Sequence, residues 1–92
     1  MFKRRLWFHR GRIDSDEGFS VAFGRDMVVY RESGRRMAIT ADVGAQEANI
    51  FTISIGRWDD DQVNIISEAE KQRIADNIER ALEWQGLTVK LI

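Results

Sequence analysis

One histidine, no cysteine and fifteen carboxylates limit the chemistry open to this chain of 92 residues. His9 has no acid beside it in sequence, and no positioned serine or cysteine is evident for it to activate, so a hydrolytic triad is not indicated. The lack of cysteine removes disulfides, thiolate catalysis and the common structural zinc sites together. The expectation is a non-enzymatic protein with no catalytic residue, no metal and no cofactor.

Two charged clusters remain. Asp59, Asp60 and Asp61 form an acidic run of the kind that supplies oxygen ligands to hard cations, but the glycine and terminal glutamate of an EF-hand loop are missing. The run reads as a solvated loop, or as an acidic knob facing a protein partner. Lys3, Arg4, Arg5, Arg10 and Arg12 are interleaved with Leu6, Trp7 and Phe8, a basic and aromatic mixture suited to nucleic acid or an anionic surface. Arg31 and Arg36 join this alternative anion-binding set below. Of the three tryptophans, Trp58 is expected in the core, with Trp84 on a helix flank and Trp7 exposed.

Net charge is −1, yet residues 1–36 carry +4 and residues 37–92 carry −5. Such polarity gives two surfaces of opposite sign unless folding pairs the two halves, and pairing is the expected outcome. Met1 to Arg10 opens with the charges of an export signal but has too short an apolar stretch to be one. No apolar run approaches the ~20 residues of a spanning helix, so neither export nor integral membrane association is expected, and the location inferred is cytoplasmic.

The elements that must position these groups are legible from periodicity. Ser67 and Glu70 form a capping box, the serine hydroxyl taking the Glu70 amide and the glutamate reaching back to the Ser67 amide. Ile74, Ile78, Ala81 and Leu82 then make one apolar stripe, and Gly86 stops the helix. Glu68, Asp76, Glu79 and Glu83 line the opposite side, and Arg80 is placed to lie over Trp84.

From Phe19 the period is two. Phe19, Val21 and Phe23, then Val28 and Tyr30, then Met37, Ile39 and Ala41 mark three half-buried strands. A Gly24-Arg25 turn pairs Val21 with Val28 and Phe19 with Tyr30. A Ser33-Gly34 turn pairs Tyr30 with Met37 and Val28 with Ile39. Both place Val28 and Tyr30 on one apolar face. The second hairpin also sets Arg31 against Arg36, a repulsion that calls for an anionic partner or a nearby carboxylate.

After a loop at residues 44–48, Phe51, Ile53 and Ile55 mark a fourth strand, Val63 to Ile66 lead into the helix, and Leu87 to Ile92 form a short fifth strand. The order ββββαβ predicts a two-layer α+β fold, an antiparallel meander of four or five strands with one C-terminal helix on one face. Residues 19–92 constitute the domain, and residues 1–18 are a basic, aromatic segment that is either mobile or an extra strand. Phe19, Phe23, Tyr30 and Phe51 face the helix in this reading, which disfavours base stacking and nucleic acid. The outer face shows Met27, Val29, Ala38, Ile50 and Thr52 beside Arg31 and Arg36, apolar enough that the N-terminal segment or a second copy in a homodimer is expected to cover it.

The segment Met27-Val-Val-Tyr-Arg-Glu-Ser-Gly-Arg-Arg36, Trp58 after a strand, and Ser67-Glu-Ala-Glu-Lys-Gln-Arg73 opening a helix through Asn77-Ile-Glu-Arg-Ala-Leu82 resemble the pattern of a group of small bacterial immunity proteins of polymorphic toxin systems. The resemblance implies a cytoplasmic α+β protein that binds and blocks a cognate toxin, and it transfers no binding residues. The functional expectation is a protein-binding module acting through Asp59, Asp60, Asp61, Glu68, Asp76, Glu79 and Glu83. The alternative is an anion binder using the basic N-terminal segment.

Overall fold

The structure, a computed structural model, describes the backbone of residues 1–7 and 10–92 and the side chains of residues 1–3 and 11–92. Seven strands form one sheet in chain order: β1 (Phe2–Trp7), β2 (Arg10–Ser15), β3 (Phe19–Phe23), β4 (Met27–Glu32), β5 (Arg35–Val43), β6 (Glu47–Ile50) and β7 (Thr88–Leu91). Strands β1 to β6 are antiparallel neighbours. Helix α1 (Glu68–Trp84) carries the chain back so that β7 pairs parallel with β6. A parallel pair requires such a crossover, and the helix is what fills it.

The α+β class and the single C-terminal helix agree with the sequence reading, whereas the sheet is longer than the four or five strands expected. The two additional strands lie in residues 2–15, where charge hides the period: Phe2 and Ile13 face inward among Lys3, Arg12 and Asp14. The described part of the N-terminal segment therefore extends the sheet at its edge and does not lie across the outer face.

The core is the apolar stripe of α1 set on one face of the sheet. Ile74, Ile78, Ala81 and Leu82 are fully buried against Ile13, Val21, Val28, Tyr30, Met37 and Ile39, and Ile55 and Trp58 close one end. Ser67 caps α1 by accepting the Glu70 amide at 3.1 Å. Glu70 does not complete a reciprocal box. Its carboxylate accepts the Trp58 indole N–H at 3.3 Å and lies 3.6 Å from Arg73, so it anchors the core tryptophan. At the other end Gly86, at φ +104°, allows the Leu87 amide to reach the Leu82 carbonyl and its own amide to reach Glu83, a Schellman closure.

The β4–β5 register is the expected one, Tyr30 opposite Met37 and Val28 opposite Ile39, around a turn in which Ser33 and Gly34 both have positive φ. That is the two-residue geometry whose twist suits a hairpin. The β3–β4 register differs by two residues: Val21 opposes Tyr30 and Phe23 opposes Val28. The turn is centred on Arg25-Asp26, closed by the Gly24 amide on the Met27 carbonyl at 2.9 Å. A shift of two preserves the face of every side chain, so the core survives the misplaced turn.

The fourth strand also lies elsewhere. Residues 47–50 pair with β5, and Ala48 and Ile50 enter the core, so Ile50 is not on the outer face. Thr52–Ser54 form a 3-10 turn instead of a strand. The Ser54 hydroxyl accepts the Thr40 amide and donates to the Phe51 carbonyl, while the Thr52 hydroxyl and amide both bond the Ile92 carbonyl. Short hydroxyl side chains that satisfy nearby backbone groups compete with a ladder in this way. Phe51 and Ile53 consequently point to solvent, not to the helix, and only Ile55 is buried. Among the described residues no helix is long and apolar enough to cross a membrane.

Candidate functional site

The acidic run is held by the sheet. Asp59 accepts from Arg36 Nη1 at 2.8 Å and Asp60 from the Arg35 guanidinium at 3.0 and 3.2 Å, and the Asp59 amide donates to the Arg36 carbonyl. Consecutive residues of β5 point to opposite faces, so the loop straddles the end of the sheet with one aspartate on each side. Arg35 also lies 4.8 Å from the centre of the Trp58 ring, which seats the loop on the core. Asp61 turns inward on its own loop, accepting from the Val63 and Asn64 amides and the Asn64 side chain. These bonds hold its carboxyl below the usual range. The three aspartates thus serve the fold first, and Asp59 is the carboxylate that relieves the Arg31–Arg36 opposition.

The helix row is different. Asp76 accepts from Gln72 at 2.9 Å, and Glu68, Glu79 and Glu83 make no ion pair among the described residues. The basic flank of the same helix is consumed by the fold. Arg73 bonds Glu32 at 2.6 Å, and Arg80 grips Glu17 at 2.9 and 3.2 Å, holding that carboxyl below its ordinary pKa. Arg80 lies 5.9 Å from the centre of Phe19 and not over Trp84, which packs against Phe2 with ring centres 5.6 Å apart. Pairing across the chain halves takes two bases and two acids from residues 1–36, so it leaves the charge asymmetry as it was, with the helix row free of ion pairs among the described residues.

The connector that leads into α1 carries a feature the periodicity did not single out. The connector between β6 and α1 exposes Ile53 (88%), Val63 (86%) and Ile65 (69%), with Phe51 at its start and Ile92 tied to Thr52. The Ile66 amide on the Gly56 carbonyl closes the connector on itself at 2.8 Å. Val63 and Ile65 read in sequence as an apolar lead into the helix, and their alternation with Asn64 gave no sign that both would be left in water.

On the opposite face the anion-binding candidates divide. Arg12, Arg31 and Arg36 line an open hollow of about 540 Å³ that wraps the end of the sheet, since Phe19, Glu32 and Arg35 of the helix side line it too. Lys3 is exposed on β1, in register with Asp14. Arg4 and Arg5 are placed on β1 by register, opposite Ile13 and Arg12, and Arg10 on β2 opposite Trp7; their side chains, with Phe8 and His9 entirely, lie outside the described residues. Among the described residues no group of three or more histidines or carboxylates is placed to hold a metal ion. No family model, curated protein or solved structure matches the chain.

Proposed function

We propose that this protein is a non-enzymatic binding module whose partner is another protein, docking on the connector at residues 51–66 and on the adjoining acidic row of α1. The observation that carries this reading is the exposure of Ile53, Val63 and Ile65 on a loop internally pinned by hydrogen bonds and ion pairs. Large aliphatic side chains on an ordered surface gain by being covered, at roughly 25 cal/mol per Å² of apolar area removed from water. Glu68, Asp76, Glu79 and Glu83 add a negative field that steers a basic partner and makes association salt-sensitive. A toxin-neutralising role in the cytoplasm is the particular form suggested by the immunity-protein resemblance. In that form the acidic and apolar surface occupies a basic toxin site.

Affinity capture from the native host tests the reading. A specific protein should be retained by the wild-type chain and lost at least tenfold when Val63→Ser and Ile65→Ser are combined, with the thermal melt unchanged because both side chains are already in water. Neutralising the four helix acids should slow association and flatten its salt dependence. A partner bound equally well by all variants rejects this surface, and failure to retain any protein rejects the module. Rescue of growth when the chain is co-expressed with a neighbouring toxin-like gene distinguishes the toxin-neutralising form.

A further inference from the structure

We propose that the outer-face part of this hollow is a binding site for a single phosphate group, free or carried by a small molecule, with Arg31 and Ser20 at its centre. Asp14, Ser20, Arg31 and Arg36 are direct cross-strand partners on β2, β3, β4 and β5, so they form one row across four strands. Strands are ~4.8 Å apart, which sets Ser20 and Arg31 side by side with Arg36 one strand further. Arg12 sits one pleat away on β2, opposite Ala22, within diagonal reach of Ser20.

Ser20 makes this row more than a group of arginines. It is 95% buried, with 5% of its surface exposed, it lines the hollow, and its hydroxyl has no hydrogen-bond partner among the described residues. A buried hydroxyl without a partner is costly, on the order of 1–3 kcal/mol, and a valine would suit a strand better without it. The hydroxyl oxygen has under 1 Å² of accessible surface, so a phosphate oxygen accepts from it and removes that cost once the side chains over the row move aside.

The surrounding charges fit the same ligand. On the outer face three arginines, Arg12, Arg31 and Arg36, line the hollow against one carboxylate, Asp14. Glu32 is engaged on the helix side by Tyr30 and Arg73, and Arg35 by Asp60. Arg36 gives one N–H to Asp59 and Arg12 gives its Nε–H to Asp14 at 2.8 Å, each guanidinium keeping further donors. Arg31 makes no ion pair or side-chain hydrogen bond among the described residues, although it is partly buried and faces Arg36 directly. Planar guanidinium groups bind phosphate through paired N–H donors. The small row of Ala22, Val29 and Ala38 beside the hollow keeps its approach open. Asp14, within the row, opposes a ligand of high charge, which favours one phosphate over a long polyanion.

Amide NMR of the full chain, titrated with inorganic phosphate against chloride at matched ionic strength, tests the site. Saturable shifts at Ser20, Arg31 and Arg36 are expected, with affinity falling at least tenfold in Arg31→Gln and about threefold in Ser20→Ala. Arg31→Lys keeps the charge and the fold but should still weaken binding several-fold, separating guanidinium geometry from simple attraction. A ribose 5-phosphate arm distinguishes a carried phosphate, which should bind more tightly than the free ion. Linear, unsaturated shifts shared with chloride overturn the proposal. So does saturation only by a single-stranded oligonucleotide with steep salt dependence, which identifies a polyanion surface instead. Neither outcome bears on the exposed Ile53, Val63 and Ile65 of the partner surface, although Asp59 of the same connector holds Arg36.

Discussion

Tyr30 joins the two layers through a single hydroxyl. It donates to Glu32 at 2.7 Å and accepts from Asn77 at 2.9 Å, with Arg73 on the far oxygen of the same glutamate. Burial is the main cause, and the Glu32 carboxylate the second, of a phenol pKa raised far above its ordinary value. Because the folded pKa lies above the unfolded one, this contribution to stability is complete below the unfolded value of about 10 and is lost progressively as pH rises beyond it. Tyr30 is the only tyrosine, so phenolate absorbance reports on it alone. Ionisation should coincide with alkaline unfolding seen by circular dichroism. A separate titration near pH 10 in folded protein would contradict the network. Tyr30→Phe should cost about 1–3 kcal/mol in denaturant melts, because Asn77 and Glu32 each lose a partner.

At the scale of elements, α1 is defined by its ends. Ser67→Ala should cost about 1 kcal/mol through the lost cap. Gly86→Ala should cost a similar ~1 kcal/mol because an L side chain resists φ +104°, even though the added methyl meets no atom within 4 Å. Chemical denaturation of both variants checks these values, and an unchanged Gly86→Ala midpoint would remove the conformational explanation. Both ends could be read in the sequence because a cap and a stop are local.

The β4–β5 hairpin was legible for the same reason, since its turn residues and its apolar pattern demanded one register. Gly24 misled because a glycine beside a turn is not always in it, and an alternating pattern cannot detect a shift of two. Phe51, Ile53 and Ile55 alternate like a strand, but Thr52 and Ser54 spend their hydroxyls on backbone groups of Thr40, Phe51 and Ile92. Two of those three residues are far away in sequence, so periodicity could not reveal the corner. The same limit hid the pairing of Asp59 with Arg36 and the orphaned hydroxyl of Ser20. The Arg31–Arg36 opposition was visible, whereas the carboxylate that answers it arrives from a loop more than twenty residues later.

In the whole molecule the two faces of the sheet have separate tasks. One is closed by α1 and sealed at its rim by Arg73 with Glu32, Arg80 with Glu17, and Arg35 with Asp60. The other is open, with the arginine row at one end and Ala22, Val29 and Ala38 beside it. The strand order gives the molecule a direction in time as well as in space. Six strands join through hairpins between immediate neighbours, so each closure spans a short stretch of chain, while β7 waits for residues 51–87 to be laid down and folded back. Short closures form early because little chain entropy is lost in making them. Pulse-labelled amide exchange during refolding should therefore protect β3, β4 and β5 before β7, and native-state exchange should release β7 first. The seventh strand behaves as a latch, closing last on a structure already assembled and opening first when it comes apart.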